Sequence, residues 1–208
     1  MKLFLASTAK HPDSIKKLKE FAGDLSSKHI TYIPTAANGE FWGSWKTSES
    51  ITVAKSISKS LEILELENYH KVDVASKLKQ ADLIWMAGGM PGYLLYWLRR
   101  LELNKLIPKL ISKGVIYVGS SAGSMVCSQT QYTSELFLDD PEIGASIFPG
   151  LGLIDFEIYP HYREEQLEQI KFHWKAGRRL YLLKDGEAIT VEDSNSVKVL
   201  GTERIIKL

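Results

Sequence analysis

The sequence predicts one α/β domain over residues 1–208, a mostly parallel sheet with helices on both faces and short antiparallel strands at its C-terminal end. Three observations point there. Short, almost wholly apolar segments, such as residues 83–86 and 115–118, alternate with segments of helical spacing, the pattern of parallel strands covered on both sides. Several of these strands run straight into glycine, serine or proline, as strand-to-helix turns require. The last third of the chain changes character, to short strands separated by turn residues such as Asp193-Ser194-Asn195-Ser196.

Taken in order, residues 3–6 are the first strand. A helix follows, with Ile15, Leu18, Phe21, Ala22 and Leu25 at helical spacing and Asp13 as its expected N-cap. Residues 29–33 are a second strand, stopped by Pro34. A loop containing Phe41, Trp42, Gly43 and Trp45 leads to a helix over residues 48–59. Residues 61–66 and 83–86 read as the third and fourth strands, the latter ending in Gly88-Gly89. Helical spacing returns over 93–101 and 106–111, ahead of the strand at 115–118. Residues 153–159 read as a strand entering Pro160-His161, followed by a helix over 164–175. Strands at 180–183, 188–191, 197–200 and 204–206 are expected to extend the main sheet in antiparallel fashion.

Composition excludes several function classes. The chain of 208 residues has 26 basic and 25 acidic side chains, a net charge of +1, and its lysines are spread along helices, so nucleic acid is not expected as a partner. No apolar run approaches the ~18 residues of a membrane span. Lys10, His11 and Asp13 interrupt the apolar start too early for a secretory signal. The single cysteine, Cys127, allows no intramolecular disulfide and fits a small buried side chain in a reducing, cytoplasmic setting. No His, Cys, Asp and Glu cluster has metal-ligand spacing, so neither metal nor cofactor is expected. Oligomeric state leaves no signature.

The chemistry concentrates at Gly119-Ser120-Ser121-Ala122-Gly123, which follows the strand at 115–118 and opens a helix. A G-x-S-x-G turn between a buried strand and a helix lifts one serine hydroxyl out of the sheet, where a histidine can activate it. In open α/β sheets ligands bind beyond the carboxyl ends of the strands. By that rule Gly88-Gly89, Ser121 and His161 converge. The amides of Gly89 and Ala122 would then make an oxyanion hole. Among five histidines, His161 is the candidate base, because a strand end and a proline fix its direction. Glu135, Asp139, Asp140, Asp155, Asp185 and Glu187 are the carboxylates from which its partner could come.

Gly88-Gly89, the Gly119–Gly123 elbow, and Gly150-Leu151-Gly152-Leu153-Ile154-Asp155-Phe156 running into Pro160-His161-Tyr162 closely resemble the peptidase E and cyanophycinase family of serine peptidases. The resemblance extends from the first strand to the one containing Ala188-Ile189. It implies a fold like that of class I glutamine amidotransferases, with Ser121 as nucleophile and His161 as base. The third residue differs between branches. The peptidase E pattern falls on Thr133-Ser134-Glu135 ahead of Asp140-Pro141, which makes Glu135 the preferred acid. The cyanophycinase pattern instead falls on Asp185, the runner-up. Peptidase E-like enzymes cleave dipeptides after an N-terminal aspartate, read by an arginine downstream of the histidine. Arg163 is the nearest counterpart here and Gly88 would line the same pocket. Glu164-Glu165 beside Arg163 opposes an acidic substrate, so a small-peptide hydrolase of broader or different specificity is expected. The aromatic loop, with Tyr93 and Tyr96, would wall the pocket. Two other readings stay open: an α/β-hydrolase-type esterase and a non-catalytic ligand-binding or regulatory module.

Overall fold

The computed structural model describes residues 1–40, 44–193 and 196–207. Phe41, Trp42 and Gly43 of the aromatic loop lie outside them. In chain order the elements are β1 (Lys2–Ala6), α1 (Pro12–Ala22), β2 (His29–Ile33), α2 (Glu49–Ile57), β3 (Ser60–Ile63), α3 (Lys71–Leu78), β4 (Leu83–Met86), α4 (Pro91–Arg100), α5 (Leu103–Ser112) and β5 (Ile116–Ser120). They continue with α6 (Ala122–Met125), α7 (Tyr132–Glu135), β6 (Glu157–Tyr159), α8 (Leu167–His173), β7 (Leu180–Leu182), β8 (Ala188–Glu192), β9 (Ser196–Leu200) and β10 (Ile205–Ile206).

The main sheet has seven strands in the order β3-β2-β4-β5-β1-β8-β9. The first five are parallel, and β8 and β9 add antiparallel pairs. Alternation along the strands sends side chains to two separate cores. Leu3 and Leu5, Ile84 and Met86, and Tyr117 face a layer closed by Val74 and Leu78 of α3, Leu94 and Leu98 of α4, and Ile107 and Ile111 of α5. Phe4, Leu83, Trp85, Ile116 and Val118 face the other, closed by Leu18 of α1 and by Ile51 and Ala54 of α2. Each fully buried leucine or isoleucine favours folding by about 1.5–3 kcal/mol before the entropy of ordering it is counted.

The structure corrects several boundaries. The N-cap of α1 is His11, whose Nδ1 accepts from the Asp13 N–H at 3.2 Å. Pro12 takes the first helical position, where its missing N–H costs nothing, and Asp13 faces the positive helix end instead. Helix α3 carries no sequence expectation, since only Val74 and Leu78 mark its apolar face among lysines and an aspartate. Of the strand expected over 153–159, only its last three residues pair. The C-terminal strands divide: β8 and β9 extend the main sheet, while β6, β7 and β10 form a second sheet in the order β10-β7-β6, with β6 and β7 parallel. That small sheet has its own core, in which Tyr159, Tyr162, Ile170, Trp174, Leu180 and Leu182 bury one another. Strands of two or three residues carry too little pattern to specify a partner; the aromatic cluster decides.

Register then fixes what meets at the sheet edge. Ala6, the last residue of β1, pairs with Ser120 at the end of β5 and with Ala188 at the start of β8. Because β8 runs antiparallel, the turn before it arrives at the same edge where the parallel strands end. Ser7, Ser121 and Asp185 are thereby brought together.

Candidate active site

Ser121 sits at φ +50°, ψ −114°, outside the regions that a residue with a side chain ordinarily adopts. The surroundings hold it there. Its N–H donates to the carbonyls of Ala6 and Ser7 at 3.2 and 3.0 Å, and its own carbonyl accepts from Ser124 and Met125 at 2.8 and 3.0 Å. The turn closes because two positions lack a Cβ: one on Gly119 would lie 2.6 Å from the Gly123 carbonyl oxygen, and one on Gly123 would lie 2.3 Å from that of Met86. Helix α6 is only four residues long, so local N–H groups rather than a long-helix dipole polarise this end.

A chain of hydrogen bonds runs from the elbow. Ser121 Oγ lies 3.0 Å from His161 Nε2, and His161 Nδ1 lies 2.7 Å from Asp185 Oδ1. His161 is itself at φ +54°, immediately after Pro160 and two residues beyond β6. Ser7 makes a further link that sequence reasoning missed. Its Oγ donates to Asp185 Oδ1 at 2.8 Å and accepts from the His161 backbone N–H at 2.8 Å, tying carboxylate and imidazole to the end of β1. The strand-end rule was the available signal, for Ser7 directly follows the first strand. The His161 hydrogen bond, ahead of the Ser7 one, holds the Asp185 carboxyl below its ordinary range against the opposing effect of burial.

The glycine pair lies alongside. A Cβ on Gly88 would be 3.2 Å from that of Ser121, so the backbone passes close to the hydroxyl. Gly89 adopts φ +132°, and a Cβ there would stand 2.3 Å from the Ala36 carbonyl carbon. Met90 N–H clamps this turn to Ala36 O at 3.0 Å. Among the described residues, neither the Gly89 nor the Ala122 N–H donates to a protein acceptor.

Glu135 is not brought to His161. Its Oε1 accepts from the N–H groups of Gly144 and Ser146, both at 3.1 Å, and from Ser146 Oγ at 2.6 Å. The Ser146 hydroxyl leads these contacts in holding its carboxyl below the ordinary value. The expectation of Glu135 beside the imidazole therefore fails on geometry: its carboxylate closes the 135–146 loop, and Asp185 occupies the place next to Nδ1. Arg163 also points elsewhere. Its guanidinium grips both oxygens of Asp139 at 2.8 Å and donates to Glu165 at 2.9 Å. It lines a separate depression with His161, Glu164, Lys184 and Asp185. The cavity on the Ser121 side measures 360 Å³ and is lined by Gly88, Gly89, Ser121 and His161, with Phe137 and several carboxylates. Cys127 is buried six positions beyond Ser121, and burial pushes its thiol up to about 12, so it is no nucleophile.

Comparison with known proteins places the chain in a family. The sequence profile of peptidase family S51 matches residues 3–199. The chain belongs to peptidase family S51. It is accordingly a serine-type peptidase. Its relatives include the uncharacterized peptidase Lmo0363 of Listeria monocytogenes, 28% identical over 198 residues that span 91% of this chain and 93% of that one. Peptidase E of a Nostoc species is 30% identical over 207 residues, 91% of this chain and 79% of the relative. The crystal structure of a candidate peptidase E from Listeria monocytogenes superposes with a TM-score of 0.78 at 25% identity, covering 100% of this chain and 98% of the other. Among the described residues of this S51 peptidase, no helix is long and apolar enough to cross a membrane.

Proposed function

We propose that the chain hydrolyses small peptides, dipeptides foremost, by acyl transfer through Ser121. The observation that carries this reading is the continuous Asp185–His161–Ser121 hydrogen-bond chain on a serine held at positive φ. His161 Nε2 takes the Ser121 proton as Oγ attacks the scissile carbonyl. Asp185 fixes the tautomer with the proton on Nδ1 and offsets the imidazolium that forms. The amides of Gly89 and Ala122, free of other protein acceptors among the described residues, support an oxyanion hole. His161 then protonates the leaving amine, and a water attacks the acyl-enzyme with His161 again as base. A small cavity supports a small peptide: 360 Å³ is near the lower end of the ~300–1,000 Å³ usual for ligand pockets.

The test joins labelling to turnover. A fluorophosphonate should label the wild-type protein and not Ser121→Ala, and wild type should cleave members of a dipeptide panel that the variant leaves intact. Unlabelled wild-type protein with no turnover would remove the reading.

A further inference from the structure

The charge of the cavity beside Ser121 is not accounted for by acyl transfer. Three carboxylates line it, those of Glu40, Asp140 and Glu142. Lys10 is the one lysine or arginine lining it among the described residues, and its Nζ is paired with Glu49 at 3.1 Å. Glu142 is seated on the start of α4, accepting from the N–H groups of Gly92 and Tyr93 at 2.7 and 3.2 Å, where the positive helix end offsets part of its charge. It approaches so closely because position 92 is glycine: a Cβ there would stand 2.5 Å from Glu142 Oε1. The carboxylates of Glu40 and Asp140 accept no hydrogen bond and form no ion pair among the described residues. Burial first, and then the Asp140 charge, raise the carboxyl of Glu40 above its ordinary value, and the same neighbour works in that direction on Glu142. The wall thus holds mutually repelling carboxylates in the same cavity as the Ser121–His161 pair.

We infer that this wall selects small peptides whose N-terminal residue is basic, lysine or arginine, over neutral and acidic ones. The inference rests on the acyl-transfer reading, in which the N-terminal residue of a dipeptide occupies this cavity. Every such substrate brings one ammonium at its N-terminus, which offsets one carboxylate. A second cation, on the side chain, meets the charge left over. An aspartate in that place would add a further carboxylate. Arg163, the guanidinium that could have received it, is engaged by Asp139 and Glu165 outside the cavity. Partial exposure of the wall keeps the discrimination modest, on the order of tenfold rather than thousands.

The decisive comparison is lysyl-alanine against norleucyl-alanine, which shares the aliphatic stem and lacks the charge, with aspartyl-alanine as third substrate. For wild type, kcat/KM should favour lysine over norleucine by about tenfold, with aspartate last. The lysine preference should shrink in both Glu40→Gln and Asp140→Asn, and with added salt. Equal values for lysine and norleucine would overturn the inference, as would a preference untouched by both substitutions. Binding of the same peptides to Ser121→Ala, by calorimetry, separates specificity from chemistry. Preference for the lysyl peptide there, with wild type unable to turn it over, would uphold the wall and sink acyl transfer. Turnover without preference would do the reverse. Failure of Ser121→Ala to bind any of the three would also overturn the inference.

Discussion

At the scale of single residues, Asp185 and Glu135 offer the sharpest contrast, because each carboxylate is hydrogen-bonded and only one of them faces the imidazole. Asp185→Asn should lower kcat/KM by a factor on the order of 10³–10⁴, as loss of a tautomer-fixing carboxylate does. Glu135→Gln should leave turnover within a few-fold, which steady-state kinetics on one dipeptide checks. A pH effect accompanies the first variant. The folded-state carboxyl of Asp185 lies below its unfolded value of ~3.9, so its contribution is present above that pH and is lost as pH falls through the folded value. In urea unfolding, wild type should exceed Asp185→Asn in stability at neutral pH, with the gap closing below about pH 4. Ser7 bonds the same pair and does not line the cavity. Ser7→Ala should reduce kcat by roughly tenfold with KM little changed, and should shift the acid limb of the kcat profile upward as Asp185 loses a stabilising donor. An unshifted profile would reduce Ser7 to packing.

At the scale of elements, the site depends on turns that close only where Cβ atoms are missing. Gly89→Ala places a methyl group against the Ala36 carbonyl at a φ that alanine resists, so it should cost about 1–3 kcal/mol or more, measured by denaturant unfolding. Activity should fall further than stability does, since the amide of Gly89 would be re-aimed. Much of this scale was readable in advance. The elbow at 119–123 was marked by its glycines, and β1, β2, β4 and β5 by apolar runs bounded by turn residues. What escaped was polar or short. Two buried apolar positions were too few to announce α3, and a histidine supplied the cap of α1, which residue preferences assign to Asp or Ser. The 135–146 loop escaped for another reason: Glu135 lies near the elbow in sequence, yet its local N–H and hydroxyl donors are closer than any imidazole.

At the scale of the whole molecule, two cores on opposite faces of one sheet make the interior inaccessible unless the molecule opens. Cys127, buried within one of them beside Tyr117, should resist iodoacetamide in the native protein and react only as denaturant unfolds it. Rapid alkylation without unfolding would show that this layer opens locally. By itself the sequence determined the parallel α/β sheet, the serine elbow and the glycine turn beside it, because each rests on local pattern: apolar period, turn chemistry and small residues at a tight crossing. Only the tertiary structure decided which acid stands behind His161, that Ser7 bridges them, and that Arg163 faces away from the cavity. Asp185 lies 178 positions beyond Ser7 in number, and reaches it because β8 runs antiparallel to β1 with Ala188 opposite Ala6. Strand direction and register are set by how whole layers bury their apolar faces, and no local stretch of sequence contains that information.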